Sequence, residues 1–296
     1  AAGKGDGSRG ADNTNSANTG DDVDGFAVAV VRDETRWNVT ALDPSALIDL
    51  ADGLDDDQWG SPSILAGWTV PDVFAHIAGT EWSLTGRTVE PVRAVGELDY
   101  VRNPIGELNE NWLDHYRTRT RDELMTDLRE VTGLRADVLR AMSESDWNAE
   151  GFTPAGKDSH GRFMRIRVFD CWIHEVDVRD SLGLGAPENP APAGVTRDEM
   201  AASLPFVIGK RAQAPTGSAV TIDFTGIAPA RVHVSVGERA AVVPMLDGDA
   251  DVVIHVDIAD YARLIGARTT ADPASVTVEG DEELGGRVVA NLHYLI

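Results

Sequence analysis

The apolar residues of this chain change their period once, and the change falls at a segment rich in proline and glycine. Upstream of it the spacing is helical. Asp43-Pro44 supplies a cap and a first-turn proline, and Leu47, Ile48, Leu50 and Leu54 follow at near-helical intervals. Thr69-Val70-Pro71-Asp72 has capping-box spacing and leads into Val73, Phe74, Ile77, Trp82 and Leu84, enough for about four turns. Leu108 to Met142 reads as two helical pieces or one kinked helix, and Arg162 to Leu182 as a further helix stopped by Gly183. Four helices with apolar inner stripes predict a four-helix bundle over residues 38–185.

The break itself, Gly185 to Gly194, holds three prolines and two glycines, so residues 186–194 are expected to be a linker. Beyond it a short helix from Thr196 to Lys210 precedes three alternating runs, Val220-Ile222-Phe224, Val232-Val234-Val236 and Val252-Ile254-Val256. Apolar residues at every second position mark half-buried strands. A short helix over Tyr261 to Ile265, a strand over Val276 to Val278 and a closing helix over Leu284 to Leu295 complete a smaller α+β unit, residues 195–296. The expected class is therefore α + (α+β). At the other end, residues 1–37 read as a disordered tail and lead-in. Up to Asp24 they hold no apolar residue larger than Val23, and they lack the apolar core of a secretory signal. Phe26 to Val31 is the first segment able to pack.

Charge narrows the partners. Asp and Glu number 49 against 26 Lys and Arg, a formal net charge of −23. A broad basic surface is excluded by that balance, which argues against nucleic acid and anionic membranes as partners. No run approaches the roughly 18 apolar residues of a membrane span, and the single cysteine, Cys171, excludes an internal disulfide framework. These features predict a soluble, cytoplasmic protein with a small-molecule partner; oligomeric state is not legible.

Few residues carry chemistry. His76 borders the apolar stripe of the second helix. In the fourth, Asp170, His174 and Asp177 stand at i, i+4 and i+7 on one face, beside Ile166, Phe169 and Ile173. Asp and His one turn apart can grip a divalent ion, and a His from a facing helix supplies a third ligand. An N/N/O set without Cys suits a catalytic zinc with an open position, although nickel, iron or manganese would accept it, and a surface ion pair has the same spacing. Asp177 or Glu175 would orient a ligand from outside the metal's own shell. His115, His160, His233, His255 and His293 lack such spacing and read as structural. The seven tryptophans, Trp68 among them, read as core packing. Cys171, beside the negative Asp170, is a poor nucleophile.

Two stretches carry a family likeness. Trp59-Gly-Ser-Pro-Ser-Ile-Leu-Ala-Gly-Trp68-Thr-Val-Pro-Asp72-Val-Phe-Ala-His76 and Asp170-Cys-Trp-Ile-His174-Glu-Val-Asp177-Val-Arg-Asp-Ser-Leu-Gly183 resemble the mycothiol-dependent maleylpyruvate isomerase family. The resemblance runs from about residue 38 to the C-terminus. It implies a DinB-like metal-binding bundle followed by a sterol-carrier-like domain, with zinc on His76, Asp170 and His174 and mycothiol as thiol cosubstrate. The defining isomerases have Glu where this chain has Asp170, one methylene shorter. Leu264-Ile-Gly266-Ala-Arg268 is the nearest match to a functional Gly-Arg element of the second domain, which implies Arg268 as a catalytic residue gripping a substrate carboxylate. The implied activity is an isomerase or S-transferase that activates the thiol as a metal-bound thiolate and attacks a small electrophile, in an actinobacterial host. The alternative is a non-catalytic protein of the same fold that binds metal or an apolar ligand.

Overall fold

The computed structural model of the chain describes residues 29–33, 36–40 and 44–295. Residues 1–24 and the start of the Phe26 to Val31 segment lie outside these. The described chain opens with an antiparallel hairpin, β1 (Ala29–Asp33) and β2 (Arg36–Thr40). Helices α1 (Pro44–Gly53), α2 (Asp56–Trp59), α3 (Val70–Leu84), α4 (Pro104–Tyr116) and α5 (Arg121–Ala141) follow. A short α6 (Glu144–Asn148) and a hairpin of β3 (Glu150–Thr153) and β4 (Gly156–Ser159) lead into α7 (His160–Ser181).

Helices α1, α3, α5 and α7 form the bundle, and α4 packs on α3, adding Trp112, Leu113 and Tyr116 to the same core. The Leu108 to Met142 stretch is two helices, because Thr120 caps a new start: its hydroxyl accepts the Glu123 N–H while Glu123 accepts the Thr120 N–H. On α3 the expected stripe is buried, with Val73, Phe74 and Ile77 all at or below 1 % exposure, so His76 rides on a helix fixed by the core. Gly79 lets α4 approach: a Cβ there would lie 2.4 Å from the Trp112 ring.

The expected linker is half helix. Asn189 caps α8 (Pro190–Ala201) through its side chain, Pro190 occupies the first turn, and the helix continues through Gly194. Proline at a helix start is favourable because its missing N–H would have had no partner, so the proline cluster is a start signal there. The Thr196 to Lys210 helix is correspondingly shifted; α8 ends at Ala201 and a π-type turn, Phe206–Arg211, follows.

The sheet has the order β7-β6-β5-β8-β9, built from β5 (Ala219–Thr225), β6 (Ala230–Val236), β7 (Ala240–Val243), β8 (Val252–Asp257) and β9 (Thr277–Gly280). Only β5 and β8 pair in parallel, with Ile222 opposite Ile254. The alternating strands lie as expected, and β7 is an addition. Helix α9 (Ile258–Ile265) starts three residues before the sequence expectation, capped by Asp257. Helix α10 (Glu282–Ala290) stops short of the expected Leu295. One apolar cluster joins this sheet to the bundle: Phe169, Trp172, Ile173 and Val176 of α7 pack with Ile222, Ile254, Tyr261 and Val288.

Candidate metal centre

Helices α3 and α7 bring His76, Asp170 and His174 together. Their donor atoms all lie within 4.8 Å of one another. His76 Nε2 is 3.1 Å from Asp170 Oδ2, and His174 Nε2 is 3.7 Å from Asp170 Oδ1. Ligands about 2.1 Å from a tetrahedral ion stand about 3.4 Å apart, so the set fits a divalent ion after a modest closing of its widest pair. Both histidines are nearly buried, at 5 % and 8 % exposure. Burial pulls His76 below its ordinary pKa, against the opposing pull of Asp170, and favours the neutral imidazole that ligates. For Asp170 burial alone would raise the pKa. The Arg167 guanidinium beside it outweighs that burial and holds the carboxyl well below the usual range. It is therefore ionised, and its Oδ2 stands 3.1 Å from His76 Nε2, the two atoms facing the position an ion would take.

Asp177 and Arg268 complete the arm of His174. His174 Nδ1–H donates to Asp177 Oδ2 at 2.9 Å, leaving the Nε2 lone pair turned toward Asp170. Asp177, fully buried, accepts in turn from Arg268 Nε at 2.8 Å and Nη2 at 3.0 Å, and Arg268 Nη1 donates to the Gly266 carbonyl. Arg268 thus reaches the centre from the sheet side through Asp177. Glu175 lies on another face of α7, where its carboxylate accepts from Arg179 at 2.8 Å.

Sequence reasoning missed a charged relay behind Asp170. Arg167 Nη1 donates to Asp170 Oδ2, while its Nε and Nη2 donate to Glu81 Oε1 at 3.0 and 2.9 Å. Arg135 Nε holds the other Glu81 oxygen at 3.2 Å. The Arg167 to Asp170 spacing, i and i+3 on one helix, was the available signal. Arg135 and Arg167 also line a largely apolar cavity of about 60 Å³, together with Leu139, Met164 and Trp172. Cys171 lines it too, its thiol pushed up to about 12, chiefly by burial and then by Asp170 and Glu81 against the pull of Arg167. It remains a thiol at neutral pH. Asp72, one turn from His76, is no ligand: it accepts from the Thr69 N–H and hydroxyl and from Arg117, which fixes the start of α3.

Fold and cluster together define a helical bundle with an N/N/O donor set, closed by an α+β domain that contributes an arginine. A family model described as the mycothiol maleylpyruvate isomerase N-terminal domain matches residues 44–179, and one described as the MDMPI C-terminal domain matches residues 195–287. The chain belongs to the mycothiol maleylpyruvate isomerase family. Among solved structures it is similar to a mycothiol-dependent maleylpyruvate isomerase, with 20 % identity, 79 % of this chain and 88 % of that one covered, and a TM-score of 0.49. It is also similar to a UbiJ-SCP2 ubiquinone synthesis protein, with 15 % identity, 32 % of this chain and 95 % of that one covered, and a TM-score of 0.25. No curated protein matches the chain. No helix among the described residues is long and apolar enough to cross a membrane.

Proposed function

We propose that the chain is a mycothiol-dependent isomerase or S-transferase acting on a small electrophile, with a divalent metal, zinc first, held by His76, Asp170 and His174. The observation that carries this reading is the convergence of those three side chains, from two helices, in a chain of this family. Such an ion, when bound, lowers the pKa of a thiol at its open position. The chain's own residues supply the rest. His76 and His174 present neutral nitrogens. Asp170 supplies the negative charge, kept ionised by Arg167. Asp177 holds the His174 ring in the ligating tautomer, and Arg268 holds Asp177. The Nη1 and Nη2 of Arg268 each carry a further N–H for a substrate carboxylate. Aspartate in place of glutamate at position 170 sets the carboxylate closer to α7, and the Arg167 bond to Oδ2 leaves Oδ1 turned toward His174. A low-molecular-weight thiol cosubstrate supports a cytoplasmic location, and the net charge of −23 argues against a nucleic-acid partner. Residues 38–185 and 195–296 are its two working units.

The test is metal analysis of the purified protein beside His76→Ala and His174→Ala, followed by two assays with mycothiol: cis-to-trans conversion of maleylpyruvate, in which the thiol is regenerated, and thiol consumption with other electrophiles, in which it is not. One divalent ion per wild-type chain, lost in both variants, with thiol-dependent turnover, supports the proposal; a wild type that holds no ion after reloading overturns it. A second reading is a non-catalytic protein whose α+β domain holds an apolar ligand; the cavity of about 60 Å³ beside Arg135 and Arg167 lies in the bundle and is too small for such a ligand. Metal binding without turnover, with a fatty-acyl ligand bound, would favour that reading.

A further inference from the structure

The two histidines are held differently. His174 is oriented by a hydrogen-bonded chain through Asp177 to Arg268. His76 has no such chain: its Nδ1 is buried and makes no hydrogen bond among the described residues. A ligating imidazole whose second nitrogen is unheld is free to turn about its Cβ–Cγ bond, and such turning would spoil convergence on one ion. Something else must set the ring.

We infer that Trp68 is the positioning residue for His76, fixing its imidazole by ring packing where His174 is fixed by hydrogen bonds. This rests on the metal reading above. The indole centroid lies 5.4 Å from the His76 ring and 6.0 Å from the His174 ring, so one side chain covers both ligands. The His174 ring meets His76 edge-on at 4.8 Å and closes a second side. Ring packing of this kind has preferred geometries, so it favours one orientation of the imidazole over others.

The placement of Trp68 is itself heavily determined, more than a packing residue needs. Its Nε1–H donates to Glu110 Oε1 at 2.7 Å, and Glu110 is 1 % exposed. Burying a carboxylate is costly unless it is paired. Arg93 Nη2 at 3.3 Å and Arg117 Nη1 at 3.4 Å supply the pairing on Oε2. Arg117 also donates to the Gly67 carbonyl and to Asp72, tying the indole to the start of the helix that carries His76. Gly67 permits the turn: its φ is +78°, and a Cβ would lie 2.4 Å from the Tyr100 ring. The chain therefore uses a buried carboxylate and two arginines to aim one indole at the donor cluster.

The experiment compares zinc affinity, by competition with a chelator, in wild type, Trp68→Leu, Trp68→Phe and Glu110→Leu, with cobalt(II) visible spectra and thermal midpoints of the metal-free proteins. Leucine keeps apolar bulk and removes the ring; phenylalanine restores a ring without the N–H. Trp68→Leu should weaken zinc about tenfold or more and alter the cobalt spectrum, the range seen when a ligand's supporting partner is lost. Trp68→Phe should recover most of the affinity, and Glu110→Leu should fall between. If Trp68→Leu binds zinc within twofold of wild type with an unchanged spectrum, or if phenylalanine rescues nothing, the inference is overturned, whatever the midpoints do. Should Trp68→Leu fail to fold, Glu110→Leu decides, since wild-type affinity there is equally fatal. A wild type that binds no zinc removes the metal reading itself, which separates that failure from this one.

Discussion

Helices α3, α4, α5 and α7 bury Asp72, His76, Glu110, Arg135, Arg167, His174, Glu175 and Asp177, whereas among the described residues strands β5 to β9 bury Thr221 as their one polar side chain. Interior charge is costly, so its concentration in one region marks where the chain trades stability for chemistry. The sheet is an apolar scaffold. Its contribution to the centre comes through side chains at its rim, Arg268 to Asp177 and Arg263 to Asp180, both reaching the same helix α7. The division of labour is between a charged bundle and an apolar support that braces its key helix.

The strongest way to break that comparison is Asp177→Ala. The substitution leaves Arg268 and His174 without their shared buried partner, and removing one member of a buried pair costs about 3 to 5 kcal/mol. Urea unfolding should show that loss, and zinc affinity should fall about 10- to 100-fold as His174 loses its orienting carboxylate. A loss under about 1 kcal/mol would place Asp177 outside the buried charge system. Ile222→Ala is the matched change in the scaffold. Ile222 is fully buried on the central strand β5, and truncation there should cost about 2 to 4 kcal/mol. Zinc affinity of the folded protein should stay within about twofold of wild type. If it falls as far as in Asp177→Ala, bundle and sheet are one functional unit and the comparison fails.

Much of this division is legible in the sequence, because periodicity reports burial one element at a time. The stripe of α3, the alternation of β5, β6 and β8, and the i, i+4, i+7 set on α7 all follow from local spacing. The α8 start was hidden, since prolines that open a helix look like prolines that break one, and only the Asn189 cap separates the cases. The charged relay was hidden for another reason. Glu81 meets Arg135 and Arg167 across 54 and 86 residues, and Trp68 meets Glu110 across 42, so no window along the chain contains a pair. Each of these residues alone looks like surface charge or core aromatic; their meaning lies in the packing of α3, α4, α5 and α7.

The rim contact of Arg263 gives a pH-dependent prediction of intermediate size. Arg263 Nε and Nη2 both donate to Asp180 at 2.8 Å, and Thr270 adds its hydroxyl at 2.7 Å. Burial alone would raise Asp180, but these partners pull its pKa below the ordinary value. A depressed folded pKa means stability that is fully present above the unfolded value, about 3.9, and lost as pH falls through the folded one. Stability should therefore decline below about pH 4. Asp180→Asn should lower stability at neutral pH by about 1.5 to 3 kcal/mol, the worth of a charged hydrogen bond, and flatten that acid dependence. An equally steep acid limb in the variant would assign the decline to other carboxylates.

The smallest effect belongs to an ion pair with better distances than several of the buried ones. Arg129 Nη2 reaches both Asp52 oxygens at 2.5 and 2.6 Å, tying α5 to α1 on the outside of the bundle. The two side chains are 46 % and 52 % exposed, so water already solvates both charges and salt screens their attraction. Asp52→Ala should cost less than about 1 kcal/mol, falling further at high salt. Zinc affinity should not move. The contrast with Asp177→Ala isolates burial as the variable: the same Arg–Asp chemistry, at similar distances, is weak where water reaches it and decisive where it does not. If Asp52→Ala proved as damaging as Asp177→Ala, proximity rather than burial would govern these pairs, and buried charge would lose its value as a marker of the working half.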